Sequence, residues 1–184
     1  LLSQAATRLA QIMEAAIALF PAQVRLEFKG IRYFLFLGEE SRTGGRKGGQ
    51  WYFRRGNNTS ARFNDSIVIR SAADYLRYTH EWALQTAVHE LSHAYFYYHR
   101  QQLIQPLQKA FSHARKNNLH LNVLRQNGTT VLRAYAMTNR SEYFAEMAKT
   151  VFTGNWHYPF NKVQLEHYDP MGYQLVKDAF AKNW

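Results

Sequence analysis

Residues 82–99, WALQTAVHELSHAYFYYH, contain no Gly or Pro and place Leu84, Val88, Leu91 and Tyr95 at helical intervals. Such a stretch is predicted as a helix. Within it stands the pentad His89-Glu90-Leu91-Ser92-His93. Four residues along a helix return to within about 40° of the starting direction, so both imidazoles leave one face, a turn apart. Two imidazoles so placed can grip one Zn²⁺ at about 2.0–2.1 Å, and Glu90 can reach a water on that ion. The plainer account is a pair of histidines hydrogen-bonded as scaffold in a core helix. A third ligand decides between the two.

Working outward, 184 residues of which 46% are hydrophobic predict one domain, 1–184, with a sizeable core. Twelve Phe, twelve Tyr and four Trp exclude a disordered chain. No apolar run reaches the length of a membrane span. The best candidate, Ala5 to Phe20, carries Thr7, Arg8, Gln11 and Glu14 and reads as an amphipathic helix closed by Pro21. The first residue is Leu1, as expected of a processed or trimmed product, and secretion or export is slightly favoured as a location. The absence of Cys excludes disulfides, a thiolate nucleophile and any Cys-containing zinc site. A net charge of +10 points to a negatively charged partner or an acidic protein or peptide substrate. Nucleic acid is the lesser alternative, because no recognition motif accompanies the charge.

Val24–Phe28 and Tyr33–Leu37, separated by Gly30, are strand candidates. Gly38 to Arg62 mixes Gly44, Gly45, Gly48, Gly49 and Gly56 with several Arg, and predicts a long solvated hairpin with a strand at Trp51–Phe53. Its lysine does not make a phosphate loop, since GxxxxGK[ST] is absent. Asp65–Arg70 is a compact strand that could rim a cleft. Beyond the pentad, Gln101–Asn117 is expected as a helix interrupted at Pro106. Leu121–Arg125 and Thr130–Tyr135 flank Asn127-Gly128, a strong hairpin signal. Ser141–Thr153 reads as a periodic helix capped by Ser141 and ended by Gly154, with a short closing helix near Gly172–Lys182.

A hydrolytic zinc site needs a third protein ligand and an open position. His99 has the spacing of the metzincin pattern HExxHxxGxxH, but Phe96 occupies its Gly position. An unbroken helix would carry His99 about 9 Å beyond His93 along the axis. His113 would resemble the DNA-associated SprT-like metalloproteases, though no Gly precedes it and no Cys ribbon follows. Its plainer reading is a surface histidine beside Lys109, Arg115 and Lys116. Glu142 opens the later helix, and Glu146, one turn on, can hydrogen-bond a ligand histidine and fix its tautomer. Both glutamates stand among Tyr143, Phe144, Ala145 and Met147, where a half-buried carboxylate needs a partner.

The segment Tyr135-Ala-Met-Thr-Asn-Arg-Ser-Glu-Tyr-Phe-Ala-Glu146 resembles, together with the pentad, the catalytic core of the anthrax lethal-factor-type zinc peptidases. That family pairs HExxH with a downstream Tyr, a Thr-Asn turn and a Glu-aromatic-Phe-Ala-Glu helix. The resemblance covers roughly Trp82 to Thr153. It implies an α+β zincin-like fold, with a small twisted sheet on the HExxH helix and a following helical subdomain carrying the Glu ligand. It further implies a zinc endopeptidase with His89, His93 and Glu142 as ligands, Glu90 as general base, Tyr135 as catalytic phenol and Glu146 supporting a ligand. The gluzincin titration-factor peptidases share the HExxH-to-Glu logic and compete within the class. Two other classes stay open: a basic SprT-like or nucleic-acid-binding protein, and a zinc-bearing binding module without catalysis.

Overall fold

The amphipathic opening segment forms α1 (Leu2–Ala18), whose buried face is Ala5, Leu9, Ile12, Met13 and Ala16. The computed structural model describes residues 1–39, 49–56 and 61–180, and among these the chain is α+β, mostly helical with two small sheets. It divides into two compact units, Leu1–Ala94 and Tyr95–Trp184.

In the first unit α1 packs on α3 (Ala72–Arg77) and on β1 (Arg32–Leu35). Arg8 reinforces the α1–α3 contact by donating to the carbonyls of Leu76 and Tyr78 at the end of α3. Val24–Phe28 is not the expected strand: Ala22–Glu27 is α2, continued by a 3-10 turn at Phe28–Gly30. Pro21 presets the entry, and Ala22, Gln23, Arg25, Leu26 and Glu27 are better helix formers than the single β-branched Val24. The three-stranded sheet has the order β1-β3-β2, with β3 (Ser66–Ile69) parallel to β1 and antiparallel to β2 (Gln50–Phe53). Asp65–Arg70 therefore does not rim a cleft. Its strand is the central one, buried at all four positions, which is why SIVI lacks polar alternation. Of the hairpin expected across Gly38–Arg62, the strand is present at Gln50–Phe53; 40–48 and 57–60 lie outside the described residues.

Gly38, just past β1, lies tightly against the backbone that leaves β3. It has φ +58, and a Cβ added there would meet the Arg70 carbonyl oxygen at 1.8 Å. Gly38→Ala combines a left-handed penalty with a backbone collision, together about 2–5 kcal/mol. A fall in Tm of roughly 5–15 °C by circular dichroism is the expected result.

The long helix α4 runs from His80 to Tyr98 and bears the pentad. Every side chain from Ala87 to Phe96 is buried. This all-round burial explains an apolar pattern that lacks a solvent face.

The second unit continues with α5 (Arg100–Lys116), which runs unbroken through Pro106. Proline there removes one backbone hydrogen bond. Leu103 and Leu107, buried on either side of it, hold the helix together through packing. The Asn-Gly turn joins β4 (Leu121–Leu124) to β5 (Thr130–Arg133), with Gly128 at φ +82. Tyr135 lies past the strand, in a 3-10 turn at Tyr135–Met137. Next come α6 (Arg140–Thr153), α7 (Lys162–Tyr168) and α8 (Pro170–Phe180). The closing helix thus starts two residues earlier than expected, and 181–184 lie outside the described residues. Phe144 of α6 and Phe180 of α8 stack at 6.0 Å in the core. Helix α7 has no counterpart in the sequence reading. Asn161 caps it by accepting the Gln164 N–H, while the Gln164 side chain accepts the Phe160 N–H. That reciprocal pair is visible as N-x-x-Q in a segment too short to show periodicity.

A buried polar knot closes this unit. The Asp169 carboxylate accepts hydrogen bonds from Tyr143 Oη at 2.6 Å and Gly172 N at 3.0 Å, and lies 2.9 Å from His120 Nε2. Burial alone would raise the Asp169 pKa. The bonds from His120, Tyr143 and Gly172, with the His120 charge, outweigh it and hold the group below its ordinary value. Burial first, then the Asp169 charge and hydrogen bond, push the Tyr143 phenol far upward, so it stays a donor. A carboxyl depressed on folding stabilises the fold fully above its unfolded pKa, and that stability disappears as pH falls through the lower folded value. Asp169→Asn is expected to cost about 3–5 kcal/mol at neutral pH. Below about pH 3.9, the ordinary value for Asp, the gap between variant and parent should narrow, which urea titration at several pH values would measure.

Candidate metal centre

Glu90 and its flanking histidines are all buried in α4. His89 Nε2 and His93 Nε2 face each other at 3.1 Å, with the rings inclined at 83°. Two tetrahedral ligands at 2.0–2.1 Å from one ion are separated by about 3.3 Å. The imidazoles are thus spaced almost as zinc requires. Glu90 Oε2 accepts a hydrogen bond from the backbone N–H of Tyr52 at 2.7 Å. Gly49, Trp51 and Phe53 face β3 with their ladder groups, as the Arg70 N–H to Gly49 O bond indicates. By antiparallel alternation the Tyr52 N–H points out of the sheet edge, where it is available to the carboxylate. Sequence reasoning missed this contact, since nothing local connects residue 52 with residue 90.

Glu142 sits in the first turn of α6. The cap is Asn139, not Ser141: Asn139 Oδ1 accepts the Glu142 N–H at 3.0 Å. Asn139 has the extended backbone a cap requires, while Ser141 already lies inside the helix. The cap and the candidate ligand therefore form an N-x-x-E frame, with Glu142 at the third helical position. Its carboxylate also gains from the positive end of the helix dipole.

Among the described residues, His89, His93 and Glu142 form a group that could hold a metal ion: each offers one ligand atom, and these lie within 4.8 Å of one another. Two neutral nitrogen donors and one carboxylate suit zinc and leave a fourth position for water or substrate. Neither His99 nor His113 belongs to the group. His99 instead immediately precedes α5, with its ring 4.4 Å from that of Tyr95. His113 lies in the last turn of α5.

Glu146 is buried on α6 and accepts from Lys149 Nζ at 2.7 Å and Asn155 Nδ2 at 3.2 Å. These partners fix its carboxylate, and Asn155 is a further residue the sequence did not single out. Tyr135 is partly exposed. The N–H of its neighbour Ala134 donates to the His120 carbonyl at 2.9 Å, which anchors the entry to its turn.

No family model, no curated protein and no solved structure matches this chain. No helix among the described residues is long and apolar enough to cross a membrane.

Proposed function

We propose that this protein is a zinc-dependent endopeptidase of the lethal-factor type. The observation that carries the reading is the convergence of His89, His93 and Glu142, with Glu90 adjoining the first histidine on the same helix. These three side chains would hold the ion. Zinc, when bound, supplies Lewis acidity toward a water and toward the scissile carbonyl.

Glu90 then serves as general base. Its Oε2 accepts the Tyr52 N–H, which orients the carboxylate that takes a proton from the attacking water. As the water oxygen bonds to the carbonyl carbon and the C–N bond breaks, Glu90 returns that proton to the departing amine. Tyr135 donates its phenolic proton in a hydrogen bond to the developing oxyanion or assists the amine. Tyr135→Phe is expected to lower kcat by about 10²–10³-fold, the worth of one such donor, while metal content is unchanged. Steady-state kinetics with parallel metal analysis would read both quantities.

The test of the reading itself is a digest of a proteome-derived peptide mixture, with elemental analysis of the same sample. Stoichiometric zinc and new peptide termini that vanish on chelation are the expected outcome. Full zinc occupancy with an uncut mixture would overturn the enzyme and leave a binding module.

A further inference from the structure

We infer that the outward face of the β1-β3-β2 sheet binds single-stranded nucleic acid, through a platform of Phe36, Arg70 and Trp51. This inference does not rest on the metal centre.

Alternation along the strands puts Phe34 and Phe36 on the side of the sheet that carries Trp51 and Phe53. Ring contacts agree: Phe34, Phe36 and Phe53 all pack on Phe63, at 5.0, 5.9 and 6.0 Å. The floor beneath them, Ser66 and Val68, is buried. Phe36 and Trp51 remain exposed, at 37% and 38%.

These two rings stand at one end of the sheet. The Phe36 N–H donates to Ile69 O, and the Arg70 N–H donates to Gly49 O, so Phe36 is level with Arg70 and Arg70 with the start of β2. The Arg70 guanidinium lies 4.2 Å from the Trp51 ring centroid. At the other end Arg62 lies over Phe34 and Phe63, at 5.6 and 5.8 Å, and Arg32 lies 5.7 Å from Phe34. Of the described acids close in sequence, Asp65 is 3.6 Å from Arg55 and accepts from Tyr52 Oη, Asp74 is 3.4 Å from Arg77, and Glu39 stands three residues past Phe36.

Planar rings interleaved with guanidinium groups match two features of a single strand together. Each base offers a π face for stacking, and each phosphate offers a charge for Arg. A duplex hides the base faces. An acidic peptide adding as a strand would use a sheet edge instead of this face. Charge complementarity also agrees with the chain's net +10.

The experiment is fluorescence anisotropy of the full chain with a labelled oligothymidylate, its duplex with oligoadenylate, and vesicles containing phosphatidylserine. Binding of the single strand should exceed that of the duplex and fall steeply with salt. Trp51→Ser and Phe36→Ser should each weaken it about 5- to 100-fold. Arg70→Gln should reduce the slope of log K against log[salt] by about 0.7, one phosphate's share for a single strand. Circular dichroism would verify the fold of each variant, and the Arg70→Gln slope serves if a ring variant fails to fold. Equal binding of duplex, preference for vesicles, or affinity unmoved by both ring substitutions and Arg70→Gln would overturn the inference.

Discussion

Glu90→Gln is expected to slow peptide hydrolysis by about 10²–10⁴-fold, the usual contribution of a positioned acid–base group. Gln is the informative replacement because its amide oxygen can still accept the Tyr52 N–H that now bonds Glu90 Oε2 at 2.7 Å. Ala would leave that donor without the carboxylate, at a cost of about 1–3 kcal/mol, and would mix a folding defect with a chemical one. With Gln, zinc content and Tm should match the parent while turnover collapses. Retained turnover in Glu90→Gln would remove it from the role of base.

The second large effect concerns Glu142. Apparent binding energies near 10–16 kcal/mol for four-ligand zinc sites assign each ligand about 2.5–4 kcal/mol. Glu142→Ala should therefore weaken zinc binding roughly 10²–10³-fold, by competition with a chromogenic chelator. The same substitution forfeits a favourable charge at a helix start, worth about 0.3–1 kcal/mol of stability. Metal affinity and Tm thus respond on very different scales, and the contrast distinguishes a ligand from a merely structural carboxylate. Stoichiometric, tightly held zinc in Glu142→Ala would refute the assignment.

The contrast between pentad and sheet shows what local sequence can carry. Helix α4 is legible because its period and its motif lie on one element, and Glu142 is legible through the resemblance that its spacing to Tyr135 and Glu146 carries. The cap differs from expectation by two residues: Ser141 and Asn139 are both good caps, and only the backbone decides which lies outside the first turn. Strand β3 is found in the sequence but not its place, because an apolar run of three does not reveal whether its neighbours sit on one side or both. Helix α2 reads as a strand on the strength of Val24 and Phe28 alone. The Asp169–His120–Tyr143 knot is beyond reach, since its members are up to 49 positions apart and share no pattern.

The cap at Asn139 also sets a rule about length. The helix begins where that amide grips the N–H three positions on, so its count starts at a fixed point. One inserted residue between them would swing the following carboxylate about 100° around the axis. Spacing in this short interval is therefore as consequential as the identity of any side chain within it, and a deletion there would misdirect the glutamate even with every functional group present.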